Sequence, residues 1–136
     1  MFEKFTDELQ QAFRHRLPGK AAHELLKPYL KINKNLEPPQ LLKPKNAAVM
    51  TLIYPVDNIP TLLFIERPVY DGAHSGQIAF PGGKLEKSDK SLLDAALRET
   101  QEEIGIARQH IKVVGPLSEV YVLASNFMVY PFVGLL

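Results

Sequence analysis

Ser91-Leu92-Leu93-Asp94-Ala95-Ala96-Leu97-Arg98-Glu99-Thr100-Gln101-Glu102-Glu103-Ile104-Gly105 is the stretch on which the fold turns. Ser91 followed three residues later by Asp94 is a capping-box pattern, and Gly105 supplies a stop, so the spacing predicts a helix over residues 91–104. At helical spacing Leu93, Ala96, Leu97, Thr100 and Ile104 fall on one stripe that can pack on a sheet. Beside that stripe Glu99, Glu102 and Glu103 share an arc, because residues three and four apart are neighbours on a helix surface.

The arc works against the helix that carries it. Like charges at i,i+4 cost about 0.2–0.5 kcal/mol, and acids in the last turn oppose the helix dipole by roughly 0.3–1 kcal/mol each. A solvated acidic face is the ordinary reading of a glutamate cluster. Local choices that oppose local stability nevertheless mark functional sites, and a bound divalent cation reverses the sign of both costs. Hard cations such as Mg²⁺ take carboxylate oxygen, so the ligand type fits. Arg98 is placed to hold one carboxylate through a bidentate pair and leave the others for metal, its plain alternative being a surface ion pair.

Working towards the N-terminus, Gln77 to Phe80 is short and apolar and runs into Pro81-Gly82-Gly83, after a turn-like segment at residues 67–76. Gly82 and Gly83 let backbone approach a metal or phosphate, since glycine accepts dihedrals closed to other residues. His74 and Ser75 in that segment read as polar surface residues. Residues 47–54 and 61–65 are β-rich runs separated by Pro55, Asp57, Asn58 and Pro60, which predicts a hairpin. Residues 27–45 hold four prolines among lysines and read as an extended connector. Phe2, Phe5, Leu9, Phe13 and Leu17 recur at helical spacing, predicting an amphipathic helix that ends near residues 17–19, with a short second helix at 21–26. Its phenylalanine stripe either packs on the domain, the expected use of such a stripe, or mediates self-association as a homodimer. Towards the C-terminus, residues 111–122 and 127–136 read as strands. The last of these, with no polar tail after it, is expected to leave an exposed sheet edge unless something covers it.

Composition narrows the function. The 136 residues fit one domain, and 46% hydrophobic with 23% charged residues is ordinary for a globular protein. Sixteen Lys and Arg against fifteen Asp and Glu give a net charge of +1, which argues against general nucleic-acid binding. The absence of cysteine excludes disulfides, thiolate nucleophiles and thiolate metal sites. With no membrane-length apolar run and no basic-then-apolar leader, the expectation is a cytoplasmic protein that does not engage a membrane.

Gly82-Gly83-Lys84-Leu85-Glu86 followed by Arg98-Glu99-Thr100-Gln101-Glu102-Glu103-Ile104-Gly105-Ile106 resembles the signature of the Nudix hydrolases. The resemblance runs from about Ala47 to the end and fixes residue types over some two dozen positions. Asp89 stands where the family has a glutamate, one residue farther from Arg98 than usual, and Thr100 replaces a bulkier aliphatic residue. Leu63, Arg67, Gly76 and Phe80-Pro81-Gly82-Gly83 also fall where the coenzyme A pyrophosphatase branch carries an upstream motif, although Pro68 and Gly72 depart from it.

The resemblance implies an α+β fold, a Nudix-like α/β/α sandwich with a mixed sheet. Residues 1–45 would be an N-terminal helical extension and Pro-rich connector, and residues 46–136 a Nudix domain incomplete at its C-terminus. It implies Glu99 and Glu103 as principal Mg²⁺ ligands, with Mn²⁺ as a substitute, Glu102 as a third ligand or base, and the Gly83 carbonyl as a further ligand, with Asp89 ranked below them. Arg98 would position the catalytic carboxylates, and Arg67, Gly82 and Gly83 would meet substrate phosphates. The expected activity is hydrolysis of a pyrophosphate linkage in a small nucleotide derivative, coenzyme A or its acyl forms, by metal-activated water. The alternatives are a hydrolase of another nucleoside diphosphate derivative such as ADP-ribose, and a non-catalytic nucleotide-binding module.

Overall fold

A computed structural model describes residues 1–26, 43–68, 76–122 and 125–136, with only the backbone described at residue 26. The connector expected at 27–45 lies outside these residues up to position 42, as do His74, Ser75 and Gly72. The chain runs α1 (Phe2–Ala12), α2 (Lys20–Leu26), β1 (Lys45–Val56), β2 (Ile59–Leu62), β3 (Ile65–Glu66), β4 (Ile78–Ala79), β5 (Gly82–Lys84), α3 (Leu92–Ile104), a 3₁₀ turn (Arg108–His110), β6 (Lys112–Pro116), β7 (Val120–Val122) and β8 (Phe127–Leu135).

The expected hairpin is β1–β2, and its two prolines sit inside it rather than ending it. Asp57 and Asn58 both take positive φ, 49° and 64°, the signature of a tight two-residue turn that matches strand twist. Counting back from that turn, Pro55 faces Pro60 at an alternate position, where opposed residues exchange no backbone hydrogen bonds and a missing N–H costs nothing. Phe2 adds a clasp, its N–H donating to the Asn58 side chain at 2.9 Å.

The main sheet is six-stranded and mixed. Its order is β2-β1-β8-β6, with β5 on β1 beside β2 and β7 on β8 beside β6. β8 lies parallel to β1 over nine paired positions, from Lys45↔Phe127 to Ile53↔Leu135, and takes β6 and β7 antiparallel on its other side. The exposed edge expected at the last strand is therefore absent: β8 is central, and its unbroken apolar run reflects burial on both faces.

Each face of the sheet is covered by one helix, as the sandwich architecture requires. On one side Ala48, Met50 and Leu52 of β1 meet Ala95 and Ala96 of α3 with Ile111, all buried. On the other, Phe2, Phe5, Leu9 and Phe13 pack on Ile53, Val133 and Leu135. The phenylalanine stripe thus packs on the sheet.

Two boundaries and one buried position differ from expectation. α1 stops at Ala12, because the next turn tightens, with Arg14 and His15 donating to carbonyls three residues back. Residues 111–122 form two strands: β6 continues through a register shift between Val113 and Gly115, the Leu117 N–H still donates to Pro131 of β8, and the break falls at residues 117–119 before β7. Ala95, absent from the predicted stripe, is fully buried because a small side chain lets α3 lie close to the sheet.

Leu52 is fully buried at the centre of the α3-facing core. Leu52→Ala is expected to cost about 2–5 kcal/mol, read as a lower urea midpoint at an unchanged slope.

Candidate active site

α3 is held at both ends by its own sequence. Ser91 sits in an extended conformation and its hydroxyl accepts from the Asp94 N–H at 3.1 Å. The return half of the predicted capping box is displaced by one residue, because the Asp94 carboxylate accepts from the Lys90 N–H at 3.1 Å. Asp94 also pairs with Arg108 at 2.6 Å, tying the helix start to the 3₁₀ turn. Those two donors, the Lys90 N–H first, hold its carboxyl below the ordinary range. Gly105 closes the helix in the left-handed region at φ 74°. Thr100, wholly buried, satisfies its hydroxyl on the Ala96 carbonyl at 2.7 Å, which explains how a polar residue occupies that position of the stripe.

The glutamate arc meets the double glycine. β5 pairs antiparallel with β1, Ala48 opposite Gly83 and Val49 opposite Gly82. Gly82 has φ 154°, and a Cβ there would run into the Ala48 carbonyl and the Val49 backbone. At Gly83 the place of a Cβ is taken by the Glu99 carboxylate. The two glycines do separate jobs: one lets the strands approach, the other lets a carboxylate lie on the strand. Gly82 also donates its N–H to Glu103 at 2.8 Å and accepts from Arg67 at 3.3 Å on its carbonyl. Read from sequence as a point of contact with phosphates, Gly82 here has both backbone groups engaged with protein.

Arg98 is the hub of the acidic cluster. Its fork takes Asp89 by two bonds of 2.9 and 3.0 Å, and it also reaches Glu99 at 2.9 Å, Glu102 at 3.2 Å and the Lys84 carbonyl at 3.2 Å. The bidentate partner anticipated on the arc is therefore Asp89, whose side chain is only 2% exposed. Asp89 also accepts from the Glu86 N–H at 2.8 Å. The Arg98 hydrogen bonds, ahead of the cost of burial, hold the Asp89 carboxyl below its ordinary value, and Asp89 foremost raises Arg98 above its own. Nothing in the sequence signalled the Lys84 carbonyl, since a backbone acceptor carries no residue-type mark.

Glu103 is shifted the other way. Burial, more than any other cause, pushes its carboxyl above the ordinary 4.5, with Glu99 and Glu102 adding repulsion while the Gly82 N–H and Arg67 oppose. The structure thus brings Glu99, Glu102, Glu103, Arg98, Arg67, Gly82 and Gly83 to one place, with side-chain exposure of 17% at Arg98, 18% at Glu99 and 59% at Glu102.

Carboxylate and carbonyl oxygens are the donors a hard divalent cation takes, and the mutual repulsion felt by Glu103 is what such a cation relieves. The donor chemistry fits. Among the described residues, however, no group of three acidic or histidine side chains encloses a metal position as it stands. Glu99 and Glu102 are drawn to Arg98, and Glu103 to the Gly82 N–H. A separate cavity of about 180 Å³ is lined by Gln10, Arg14, Lys112, Val113 and Val114 and by none of the glutamates.

A mixed sheet between two helices, with an acidic helix end set against a double-glycine strand, defines a Nudix fold. Solved structures share it: a MutT/Nudix family protein from Enterococcus faecalis at a TM-score of 0.56 and 18% identity, over 96% of this chain and 48% of that one. The NUDIX domain of Shewanella oneidensis NrtR, complexed with ADP ribose, matches at 0.56 and 16% identity, over 86% and 70%. The chain belongs to the Nudix family, whose NUDIX domain model matches residues 44–133. It is 41% identical over 108 residues to the Nudix hydrolase NudL of Pectobacterium atrosepticum, covering 74% of this chain and 54% of that protein. NudL of Salmonella newport matches at 38% over 115 residues, 79% and 59%. The chain therefore spans little more than half the length of these relatives.

Two substitutions separate the glycines. Gly83→Ala displaces only the end of the flexible Glu99 side chain and should leave the melting temperature nearly unchanged. Gly82→Ala forces two backbones apart and should lower the melting temperature clearly. Asp89→Asn should cost roughly 1–3 kcal/mol at neutral pH. Because the folded Asp89 value lies below its ordinary 3.8, its contribution is complete above that pH and lost as pH falls through the lower folded value. Parallel melts of wild type and Asp89→Asn from pH 7 to pH 2 should therefore converge at the acid end.

Proposed function

We propose that this chain carries the catalytic face of a Mg²⁺-dependent pyrophosphohydrolase acting on a small nucleotide derivative, with coenzyme A or its acyl forms as substrate. The observation that carries this reading is the Gly82–Glu103 bond beside the Glu99 carboxylate seated on Gly83. It puts acidic oxygens and a strand backbone in one place, where a polyphosphate can be bridged by a cation. Glu99, Glu102 and Glu103, with the Gly83 carbonyl, would hold Mg²⁺ or Mn²⁺. Bound there, the cation neutralises phosphate oxygens and makes water a usable nucleophile near neutral pH.

The chain's own residues do the rest. Arg98 fixes the direction of Glu99 and Glu102, anchored by Asp89 so that its fork cannot swing. Glu102, the more exposed of the two glutamates that Arg98 holds, accepts the proton of the attacking water. Glu103, poised high by burial, shares the ligand role and is kept in place by the Gly82 N–H. Arg67, just after β3, fixes the Gly82 carbonyl and would meet a substrate phosphate there.

Coenzyme A is favoured by Leu63, Arg67, Gly76 and Phe80-Pro81-Gly82-Gly83, the pattern of that branch. Pro68 and Gly72 depart from it and keep ADP-ribose as the second substrate reading. The lack of an enclosed three-acid group among the described residues keeps a non-catalytic nucleotide-binding module as the rival class. Residues 46–136 are taken as the catalytic domain and residues 1–45 as its extension, in a cytoplasmic protein that binds neither nucleic acid nor membrane. Among the described residues no helix is long and apolar enough to cross a membrane.

The test is product release from coenzyme A, acetyl-coenzyme A and ADP-ribose with Mg²⁺ and with chelator. Hydrolysis that needs Mg²⁺ and prefers coenzyme A is expected; binding without turnover of any of the three would favour the module. Glu102→Gln should lower turnover by about 10²–10⁴-fold. Glu103→Gln should do likewise while its melting temperature at pH 8 holds or rises. The raised Glu103 value means that the ionised carboxylate subtracts stability above pH 4.5, and the amide removes that cost.

A further inference from the structure

β3 and β4 form a two-stranded ribbon outside the main sheet. Two-stranded ribbons are marginal alone, yet this one exposes apolar surface: Phe64 is 50% exposed and Ile78 66%. Ile65 pairs with Ala79 and Glu66 with Ile78, so one step along the ladder Phe64 stands opposite Phe80. The two rings stack with centroids 4.8 Å apart and 23° between their planes. Phe80 supports Phe64 on one side, and half of Phe64 is left open.

The stack is fixed at both ends to the elements that build the glutamate site. Leu63, next to Phe64, donates its N–H to the Leu52 carbonyl of β1 at 3.0 Å. Pro81, next to Phe80, is fully buried and its carbonyl accepts from Met50 at 2.8 Å. Gly82, which binds Glu103, is two residues from Phe80, so their Cα atoms lie within about 7 Å. That is within the span of a nucleoside from its base to its 5′-phosphate. Arg67, which follows β3, reaches the Gly82 carbonyl at 3.3 Å. A flat apolar platform, one ring already stacked beneath it, thus adjoins a site built for phosphates.

We infer that the Phe64–Phe80 pair is a stacking platform for the nucleobase of the nucleotide ligand. This deepens the reading given under Proposed function and rests on it for the phosphate end of the ligand. Stacking needs only a π face, so the platform would take the base without reading its hydrogen-bonding edge and would tolerate different purines.

The test is equilibrium binding of AMP and of ribose 5-phosphate to the full chain with Mg²⁺, for wild type, Phe64→Ala, Phe64→Leu and Phe64→Trp. Phe64→Ala and Phe64→Leu should weaken AMP roughly 5- to 150-fold and leave ribose 5-phosphate within twofold, while Phe64→Trp keeps AMP at or below the wild-type Kd. Equal loss of both ligands, no loss of either, retention of AMP binding by Phe64→Leu, or no saturable AMP binding by wild type would each overturn the inference. Because no turnover is read, a chain that binds AMP through Phe64 but hydrolyses nothing would sink the pyrophosphohydrolase and leave the platform standing.

Discussion

The close approach of α3 to β5 is the constraint on which the rest depends. A helix that presents carboxylates to a strand backbone must come nearer than side chains usually allow. Here the intervening positions are Gly82, Gly83, Ala48, Ala95 and Ala96, three of them fully buried alanines. Shrinking those side chains loses apolar area that would otherwise stabilise the fold. The gain is positional: the Glu99 carboxylate lies where a Cβ of residue 83 would be, and Glu103 reaches the Gly82 N–H. Packing economy and site geometry are thus set by the same residues.

The helix and the site were the most legible parts of the sequence, since both are written in local spacing. Ser91, Gly105 and the apolar stripe mark the helix; Glu99, Glu102 and Glu103 conflict with it, and that conflict marks them as a candidate site. What was not legible was pairing. Residues 127–136 gave no sign that they would lie parallel to β1, because register between strands some eighty residues apart is set by the shape of the whole core. In a mixed sheet the last strand of a chain need not be an edge, and β8 lies between β1 and β6. The Arg98 hub was half legible: its type announced a carboxylate partner, yet only the folded loop places Asp89 in the fork instead of a glutamate of the arc.

α1 shows how a second face is closed by sequence outside the signature. Ile53, Val133 and Leu135 would leave an open apolar surface on the sheet without Phe2, Phe5, Leu9 and Phe13. Burial of aromatic side chains there supports the strands from behind, while α3 works on the front. The division frees α3 to carry charges that weaken it, because sheet stability does not rest on that helix alone.

Charge completes the argument. Asp89, Glu99, Glu102 and Glu103 gather around Arg98 and Arg67, so four carboxylates face two guanidinium groups. Each arginine offsets one acid, and the cluster is left short of two positive charges. The deficit is felt at Glu103, where burial and the neighbouring acids raise the carboxyl although a backbone N–H and Arg67 pull it down. A divalent cation, such as the Mg²⁺ proposed above, would carry the charge that is missing. A further Lys or Arg in the last helical turn would offset the deficit and suit the helix dipole. The sequence instead places glutamates there, which leaves the deficit open to a ligand from outside the chain.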